Sequence, residues 1–466
     1  MFDIIEKALQ SKIAAKANLI QVRGQTRTMT LCAVQNGTIG NFSQIAITGV
    51  SARVLVEDRS WGFSSTNQVR RESMEETLKT AMKLATASAK SKPRKIVLEP
   101  TAIEDVKTVA PAKKPFDNSD LEEVKRISVE ACRGATEVGK KIVDVKASFL
   151  GIQDQKWFAS SEGSRIFQES TRLLLFVDVV AKQGSLYCPA SENLGHTGGL
   201  ELFDETEPEA LGRMVAEKAA RLLDAPAPPS GKLRVVLHPT ICATLLHEAI
   251  GHPLEADLAM EGGGFGNYVG KPVMSRLVSI YDDGAMKSGL GYLPYDDEGV
   301  ESGHTTLVKN GVLQSFMHDR TSAARMGASP TGNAHAWDYS VEPLIRQTNI
   351  GVEPGDFTVE EMVEDIDEGL FIEGTFGGQA DSSADFTFGF QNAVCIKKGR
   401  LAEMTRGANL SGNAISVFKT IDAVSKEAVL RPGACGKGQF AIQGRVVPAV
   451  RCEIMVGGME AQRDES

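Results

Sequence analysis

The sequence predicts an α+β fold, in which N-terminal units of helix plus antiparallel sheet precede a strand-rich C-terminal domain that carries an HExxxH helix. Three observations lead to this prediction. Helix-periodic apolar residues alternate with hairpin signals over the first half of the chain. Two proline-rich segments interrupt that pattern. Beyond the second segment, short apolar runs bounded by Gly, Asp and Asn predominate, which is typical of strands.

The first predicted domain covers residues 1–92. Its opening helix, within residues 2–17, is predicted from apolar residues at helical spacing, namely Ile5, Leu9 and Ile13. Short strands are predicted over residues 20–56, with Asn36-Gly37 as the sharpest hairpin turn. A second helix over residues 72–90 shows one apolar face, made of Met74, Leu78, Ala81, Met82 and Ala85. Residues 93–118 contain four prolines and are predicted to be a linker.

The central domain, residues 119–224, repeats this helix-plus-sheet outline. Ser119 and Glu122 form a capping box for a helix that ends near Ala135, and strands are predicted over residues 142–181. A second helix ends near Leu223 and begins with three residues typical of a helix start, Thr206, Pro208 and Glu209. Residues 225–231 (APAPPSG) form the second linker.

The C-terminal domain, residues 232–466, begins with an apolar strand over residues 233–237. Helical patterns are few after this strand, and they cover residues 240–250, 317–326 and 359–366. The rest of the domain is predicted to consist mostly of strands.

Composition excludes several classes of protein. Of the 466 residues 42% are hydrophobic and 24% charged, as in globular proteins, and the net charge of −9 argues against nucleic acid as a main partner. Asp178 interrupts the longest apolar run, so no membrane span is expected. Asp3 and Lys7 break the apolar core that a secretory signal needs, which predicts a cytoplasmic protein. Seven cysteines without CxxC spacing argue against a disulfide framework.

The pattern His247-Glu248-Ala249-Ile250-Gly251-His252 resembles a zinc motif but has one more residue than HExxH. On an ideal helix the two imidazoles would point about 140° apart, because each residue turns by about 100°. Two geometries could bring them together: Gly251 could end the helix with a left-handed cap, or the helix could contain a π-bulge. Considered without further context, the two histidines and the glutamate could equally be hydrogen-bonded core or surface groups at a helix end.

Glu248 is placed like a general base that takes a proton from a metal's water ligand. A zinc site usually needs a third protein ligand. Glu255 or a distant His or Cys could supply it, and Cys435 lies in a glycine-rich loop where a thiol is unusual. A single cysteine can equally be structural.

Ordered blocks of sequence run through most of the chain. Residues 49–67 read GVSARVLVEDRSWGFSSTN. The blocks of the C-terminal domain are HEAIGHPLEAD (247–257), YDDEG (295–299), DR (319–320), TGNA (331–334), GGQAD (377–381), CGKGQ (435–439) and VGG (456–458). Together they resemble the TldD/PmbA metallopeptidases.

The resemblance implies that His247, His252 and Cys435 bind one zinc ion per subunit and that Glu248 is the catalytic carboxylate. Three protein ligands would leave a fourth position for water, as in a catalytic site. The resemblance also implies a dimer, either a homodimer or a heterodimer with a metal-free PmbA-type paralogue. Because the chain retains the motif, it belongs on the active, TldD-type side.

Several polar residues allow two interpretations. The cluster Asp296, Asp297 and Glu298 could hold a second metal or form a polar turn before a strand. Arg320 could bind substrate or form an ion pair with Asp319 or a neighbouring strand. Asn333 could shape the substrate groove or cap a helix. Residues 261–267 (EGGGFGN) lack the strand-turn-helix context of a phosphate loop and are predicted to be a lid near the metal.

The sequence thus favours a zinc-dependent peptidase that hydrolyses unfolded or extended polypeptides, which would add as a strand beside a sheet edge. The alternative is a non-catalytic adaptor or regulatory subunit in which the metal is structural. Glu248, which a structural site would not need, favours the enzyme.

Overall fold

The computed structural model describes residues 1–92, 94–117, 120–262, 265–381 and 384–457. Within the first half, four helices accompany seven strands. In chain order they are α1 (Phe2–Leu9), β1 (Leu19–Gln35), β2 (Thr38–Val56), β3 (Ser60–Thr66), α2 (Arg71–Ala89), β4 (Asp105–Val109), α3 (Leu121–Thr136), β5 (Ile142–Ser160), β6 (Arg165–Gln183), β7 (Leu186–Thr197) and α4 (Pro208–Leu222).

These seven strands form one sheet that joins the two predicted N-terminal units. Its strand order is β3-β2-β1-β5-β6-β4, and β7 also pairs with β6. The antiparallel ladder from Gln21 opposite Ser160 to Gln35 opposite Lys146 connects β1 to β5. Helices α1 and α2 share a core with β1 and β2, while α3 and α4 pack over β5 to β7. The predicted α+β class is confirmed.

The first half differs from the prediction in three places. The opening helix ends at Leu9, and a separate 3₁₀ turn follows at Ala14–Lys16. Strand β4 lies inside the predicted linker and pairs parallel to β6. The N-cap of α3 is Asp120, whose side chain accepts a hydrogen bond from the Glu123 amide, whereas Ser119 lies outside the described residues. The Asn36-Gly37 turn is confirmed, with positive φ at both residues.

The second half contains mostly short strands around a few long ones. Its elements are β8 (Gly231–Leu237), α5 (Pro239–Leu245), α6 (Ala256–Met260), β9 (Ile280–Asp283), β10 (His304–Lys309), β11 (Val312–Leu313), α7 (Arg320–Met326), β12 (Ala334–His335), β13 (Leu344–Ile345), β14 (Asn349–Val352), α8 (Val359–Glu364), β15 (Glu368–Glu373), β16 (Gly377–Ala380), β17 (Asp385–Gly389), β18 (Asn392–Lys397), β19 (Arg400–Arg406), β20 (Asn409–Asn413), α9 (Ala414–Lys419), β21 (Ala423–Lys437) and β22 (Gln439–Gly457).

Strand β22 is the centre of the second sheet. It pairs antiparallel with β8, β20 and β21 and parallel with β14. The largest apolar core of the described residues packs helix α5 against this sheet. None of the described helices is long and apolar enough to cross a membrane.

Buried ion pairs connect the first sheet to the second half of the chain. Asp297 lies 3.0 Å from the Lys156 ammonium on β5, and Glu298 pairs with Arg53 on β2. The backbone amides of Glu298 and Val300 donate to Asp296. All three acidic residues of this cluster are therefore buried and already hydrogen-bonded or ion-paired, which leaves no free carboxylate for a second metal. The polar turn that the sequence allowed is present at Asp297 and Glu298, between the bridged residues Tyr295 and Glu301.

Candidate metal centre

The HExxxH segment owes its geometry to a π-helical turn. Helix α5 ends at Leu245, the π-helical turn covers Leu246–Gly251, and a 3₁₀ turn follows at His252–Leu254. The His252 amide donates to the His247 carbonyl, and this i→i+5 bond places the two residues one turn apart. Gly251 has φ −62° and ψ −50°, so the left-handed cap is wrong and the π-bulge is confirmed.

Cys435 comes to this turn from the hairpin of β21 and β22. Its Sγ lies 3.1 Å from His252 Nε2, although the two residues are 183 positions apart in sequence. Ligand atoms of His247, His252 and Cys435 all lie within 4.8 Å of one another. Two imidazole nitrogens and a thiol sulfur at this spacing fit the donor set of a zinc site.

Each imidazole is oriented through its Nδ1 atom. Gln347 Oε1 lies 2.7 Å from His247 Nδ1, and the Gln347 amide nitrogen donates to the His247 carbonyl. Gln443 Nε2 packs against the same ring, 2.9 Å from both nitrogens. A partner such as Gln347 on Nδ1 fixes the ring orientation of a histidine that binds a metal.

Glu255 performs the same task for His252. Its Oε1 lies 3.2 Å from His252 Nδ1, and its Oε2 pairs with Lys437 Nζ at 2.5 Å. Lys437 also contacts Asp257 and thereby ties the Cys435 hairpin to the segment that follows His252. Glu255, which the sequence offered as a possible third ligand, is thus a partner of His252, and the third converging donor is Cys435.

The two imidazoles differ in proton affinity. Burial lowers the pKa of His247 well below its usual value, and the charge of Arg445 lowers it further. Burial also acts against protonated His252, but hydrogen bonds to Cys435 and Glu255 outweigh it and raise the pKa of His252 to about 9. The contacts of His252 with Cys435 and Glu255 therefore stabilise its protonated form, whereas His247 stays neutral.

Glu248 lies beside both histidines without a hydrogen bond to either. Its carboxylate oxygens are 3.7 Å from His247 Nε2 and 3.8 Å from His252 Nε2. The side chain is 28% exposed and lines a cavity of about 460 Å³ together with His252 and Cys435. Its carboxylate is thus accessible to a molecule that enters the cavity. Gly263 and Gly264 of the predicted lid lie outside the described residues.

Arg320 and Asn333 are not brought to this cluster. The Arg320 guanidinium is buried and forms a bidentate pair with Glu162 of the central domain, so the predicted contact with substrate gives way to an ion pair between domains. Asn333 is 1% exposed and donates to Asp282 and to the Arg346 carbonyl. Both side chains have internal partners in place of a substrate.

Sequence reasoning missed the two glutamines that hold His247. Gln347 and Gln443 lie 100 and 196 residues from it, and amides have no diagnostic spacing. A signal for Gln443 was present, because a turn at Gly438 pairs Cys435 with Ala441 and Gly433 with Gln443. Period-2 alternation then places Gln443 on the same face of the hairpin as the thiol.

The chain is similar to known proteins over nearly its whole length. Residues 21–85, 114–223 and 230–458 match domain 1, the central domain and the C-terminal domain of the PmbA/TldA metallopeptidases. A metalloprotease of Methanocaldococcus jannaschii is 34% identical over 89% of this chain and 90% of its own. A zinc metalloprotease TldD homolog of Saccharolobus solfataricus is 29% identical over 85% of this chain and 86% of its own.

Solved structures share the fold. TldE from Thermococcus kodakarensis superposes with a TM-score of 0.78 at 19% identity and covers 97% of this chain and 99% of its own. A crystal structure from Thermotoga maritima gives a TM-score of 0.80 at 19% identity, over 98% of this chain and 99% of that one. With the three domain matches, these similarities show that the chain belongs to the PmbA/TldD metallopeptidase family.

Proposed function

We propose that this protein is a zinc-dependent peptidase that hydrolyses peptide bonds in unfolded or extended polypeptides. The observation that carries the proposal is the convergence of His247, His252 and Cys435 beside a partly exposed Glu248. One zinc ion per subunit, held by the three converging residues, would supply a Lewis acid that lowers the pKa of water and polarises a carbonyl.

Glu248 is the general base in this proposal. Its carboxylate lies at the cavity surface, within 4 Å of both imidazoles, and accepts the proton of the attacking water. After proton transfer the same group can deliver the proton to the leaving amine. Glu255, Gln347 and Gln443 hold the imidazoles, so the Glu248 side chain needs no structural partner of its own.

The open edge of strand β16 is the observation that favours an extended polypeptide as substrate. This strand pairs with β17 and with no other described strand, and its first three residues are exposed. Ala380, at its end, lines the same cavity as Glu248. A peptide that adds to this open edge as a further strand would pass beside the cluster. We also propose a homodimer, for which light scattering should give twice the 50.0 kDa chain mass. A species of the single-chain mass would leave a heterodimer with a PmbA-type paralogue.

The decisive test separates chemistry from metal binding. Glu248→Gln should keep its zinc but lose about 10²- to 10⁴-fold of the peptidase activity, since that is the usual contribution of a general base. Cys435→Ser should bind zinc more weakly, because a hydroxyl replaces the soft thiolate. Zinc content is measured by atomic emission. Cleavage is measured with an unfolded polypeptide as substrate. Wild-type cleavage by zinc-loaded Glu248→Gln would contradict the assignment and move the catalytic carboxylate elsewhere, with Glu255 as the next candidate. No cleavage by the zinc-loaded wild-type chain would favour a structural metal.

A further inference from the structure

A second cavity lies beside helix α5, the helix that leads into the HExxxH turn. It has a volume of about 150 Å³ and a mostly polar lining, which includes Ser191 of β7, Gln391, Arg431 and Arg445. Thr244, which is one helical turn before Glu248, also lines it. This cavity therefore adjoins the segment that carries the proposed general base.

Arg445 is the unexplained group of this cavity. The residue is only 8% exposed, and its Nε atom is enclosed without an acceptor. Among the described residues no carboxylate or carbonyl pairs with its guanidinium. Arg431, directly opposite on β21, differs because Glu192 and Asn193 both accept from it. Of two facing arginines, one is neutralised within the protein and the other is not.

A buried cation without a partner is costly, so its presence calls for an explanation. Burial lowers the pKa of Arg445 to about 10, the nearby charges of Glu248 and Cys435 raise it, and Arg431 lowers it again. The guanidinium therefore remains charged at neutral pH. The acidic groups on the cavity wall do not neutralise it, since Glu192 is paired with Arg431 and no ion pair joins Asp178 to Arg445.

Gly433 makes room for this guanidinium. A Cβ atom at position 433 would lie 2.6 Å from Arg445 Nε and 2.8 Å from Cζ. Gly433 precedes Cys435 by two residues on the same face of the hairpin. Because Gly433 has no side chain, the Arg445 side chain can extend diagonally across the hairpin, towards Cys435 and away from its paired residue Arg431.

We propose that Arg445 binds a carboxylate of the peptide substrate beside the metal cluster, an inference that rests on the proposed peptidase function. A guanidinium fits a carboxylate through two parallel hydrogen bonds, and the cavity is about the size of one small residue. The carboxylate comes either from the C-terminus of the peptide or from an Asp or Glu side chain. Arg445, and not Arg320, then supplies the substrate contact that the sequence suggested.

The test is a binding measurement on the zinc-loaded full chain with Glu248→Gln, which prevents cleavage. Two matched pairs of probes are titrated by calorimetry. The first pair is N-acetyl-Ala-Ala-Ala with a free and with an amidated C-terminus. The second is N-acetyl-Ala-Glu-Ala-amide and its Gln counterpart. We expect the carboxylate member of at least one pair to bind about 10- to 100-fold more tightly. The pair that shows this preference identifies the source of the carboxylate.

Adding Arg445→Met should abolish the preference, whereas Arg400→Met, an exposed arginine on β19, should leave it intact. Gly433→Ala keeps the charge of Arg445 but displaces its guanidinium, so it should weaken the preference. This variant provides a second test in case Arg445→Met folds poorly. Equal binding within both pairs, or a preference that survives in the Arg445 and Gly433 variants, overturns the inference. Cleavage by the wild-type chain is assayed separately, so failure of the peptidase proposal is recognised independently.

Discussion

At the scale of single residues, Gly251 is as constrained as the proposed metal ligands on either side of the HExxxH turn. A Cβ atom there would lie 2.5 Å from Gln347 Cδ, so any larger residue must displace the amide. That amide holds both Nδ1 and the backbone carbonyl of His247. The glycine inside HEAIGH therefore serves the orientation of the first histidine and not a helix cap.

Gly251→Ala should lower zinc affinity by about 10- to 100-fold, the usual cost of losing a partner that orients a metal ligand. A competition titration with a chelator measures this change. Gly303→Ala is the matched control, because no atom lies within 4 Å of the Cβ position there. Wild-type affinity in Gly251→Ala would mean that Gln347 does not orient His247.

Site residues that belong to a recognisable sequence motif could be predicted, and site residues outside such a motif could not. His247, Glu248 and His252 form a local pattern, and the resemblance to a family added Cys435. Arg320 was misplaced because a motif gives no information about burial, and its partner Glu162 lies 158 residues away. Arg445 was missed because an unpaired arginine is visible only when every neighbour is known.

At the scale of elements, helices α3 and α4 cross at a glycine in each. A Cβ atom on Gly212 of α4 would collide with the Ala131 carbonyl, and one on Gly134 of α3 would collide with the Glu209 carbonyl. At this contact the backbones of α3 and α4 touch directly, because neither glycine has a side chain that would hold them apart. The crossing therefore depends on the absence of two side chains.

Gly212→Ala should destabilise the protein by about 1 to 3 kcal/mol, as overpacking does, despite the gain of about 1 kcal/mol in helix propensity. Urea unfolding measures the change. Glu217→Ala, at an exposed position of the same helix, should have little effect. Unchanged stability of Gly212→Ala would show that the two helices can move apart at low cost.

Elements with strong local signals were predicted closely, for example α2 from its apolar face and the β1–β2 turn from Asn36-Gly37. Strand β4 was hidden among prolines, because its pairing with β6 depends on residues about 60 positions later. The π-helical turn was one of two geometries that the five-residue spacing allowed, and the right-handed dihedral angles of Gly251 in the structure distinguish them.

At the scale of the whole molecule, Asp154 is a centre of the buried charge network. Arg27 of β1 donates two hydrogen bonds to it, at 2.7 and 2.8 Å, and Arg172 of β6 a third at 3.3 Å. Arg172 also donates to the carbonyls of Leu290 and Tyr292 in the C-terminal domain. One carboxylate thus links strands of the first sheet with the second half of the chain.

This network predicts a pH dependence of stability. Burial opposes ionisation of Asp154, but the charge and hydrogen bonds of Arg27 outweigh it and lower its pKa to about 2. The unfolded value is about 3.9, so the carboxylate stabilises the fold fully above about pH 5 and loses this contribution as the pH falls towards 2.

Asp154→Asn should therefore cost about 3 to 5 kcal/mol at pH 7, the usual cost of breaking a buried ion pair. The difference from wild type should shrink between about pH 4 and pH 2. Urea unfolding at a series of pH values measures it. Asp367→Asn, at an exposed position, is the control. A difference that is constant across this range would contradict the role of the charge.

The central position of β22 also sets the order of events during synthesis. Strand β8 leaves the ribosome some 200 residues before its neighbour β22, which at about 5 to 20 residues per second is a delay of about 10 to 40 s. During that time β8, and for the later part of it β14, expose open edges in the nascent chain, and such edges are prone to wrong pairing. Cys435 emerges only at the end of this interval, so the three proposed ligands are present together only after the hairpin has been translated.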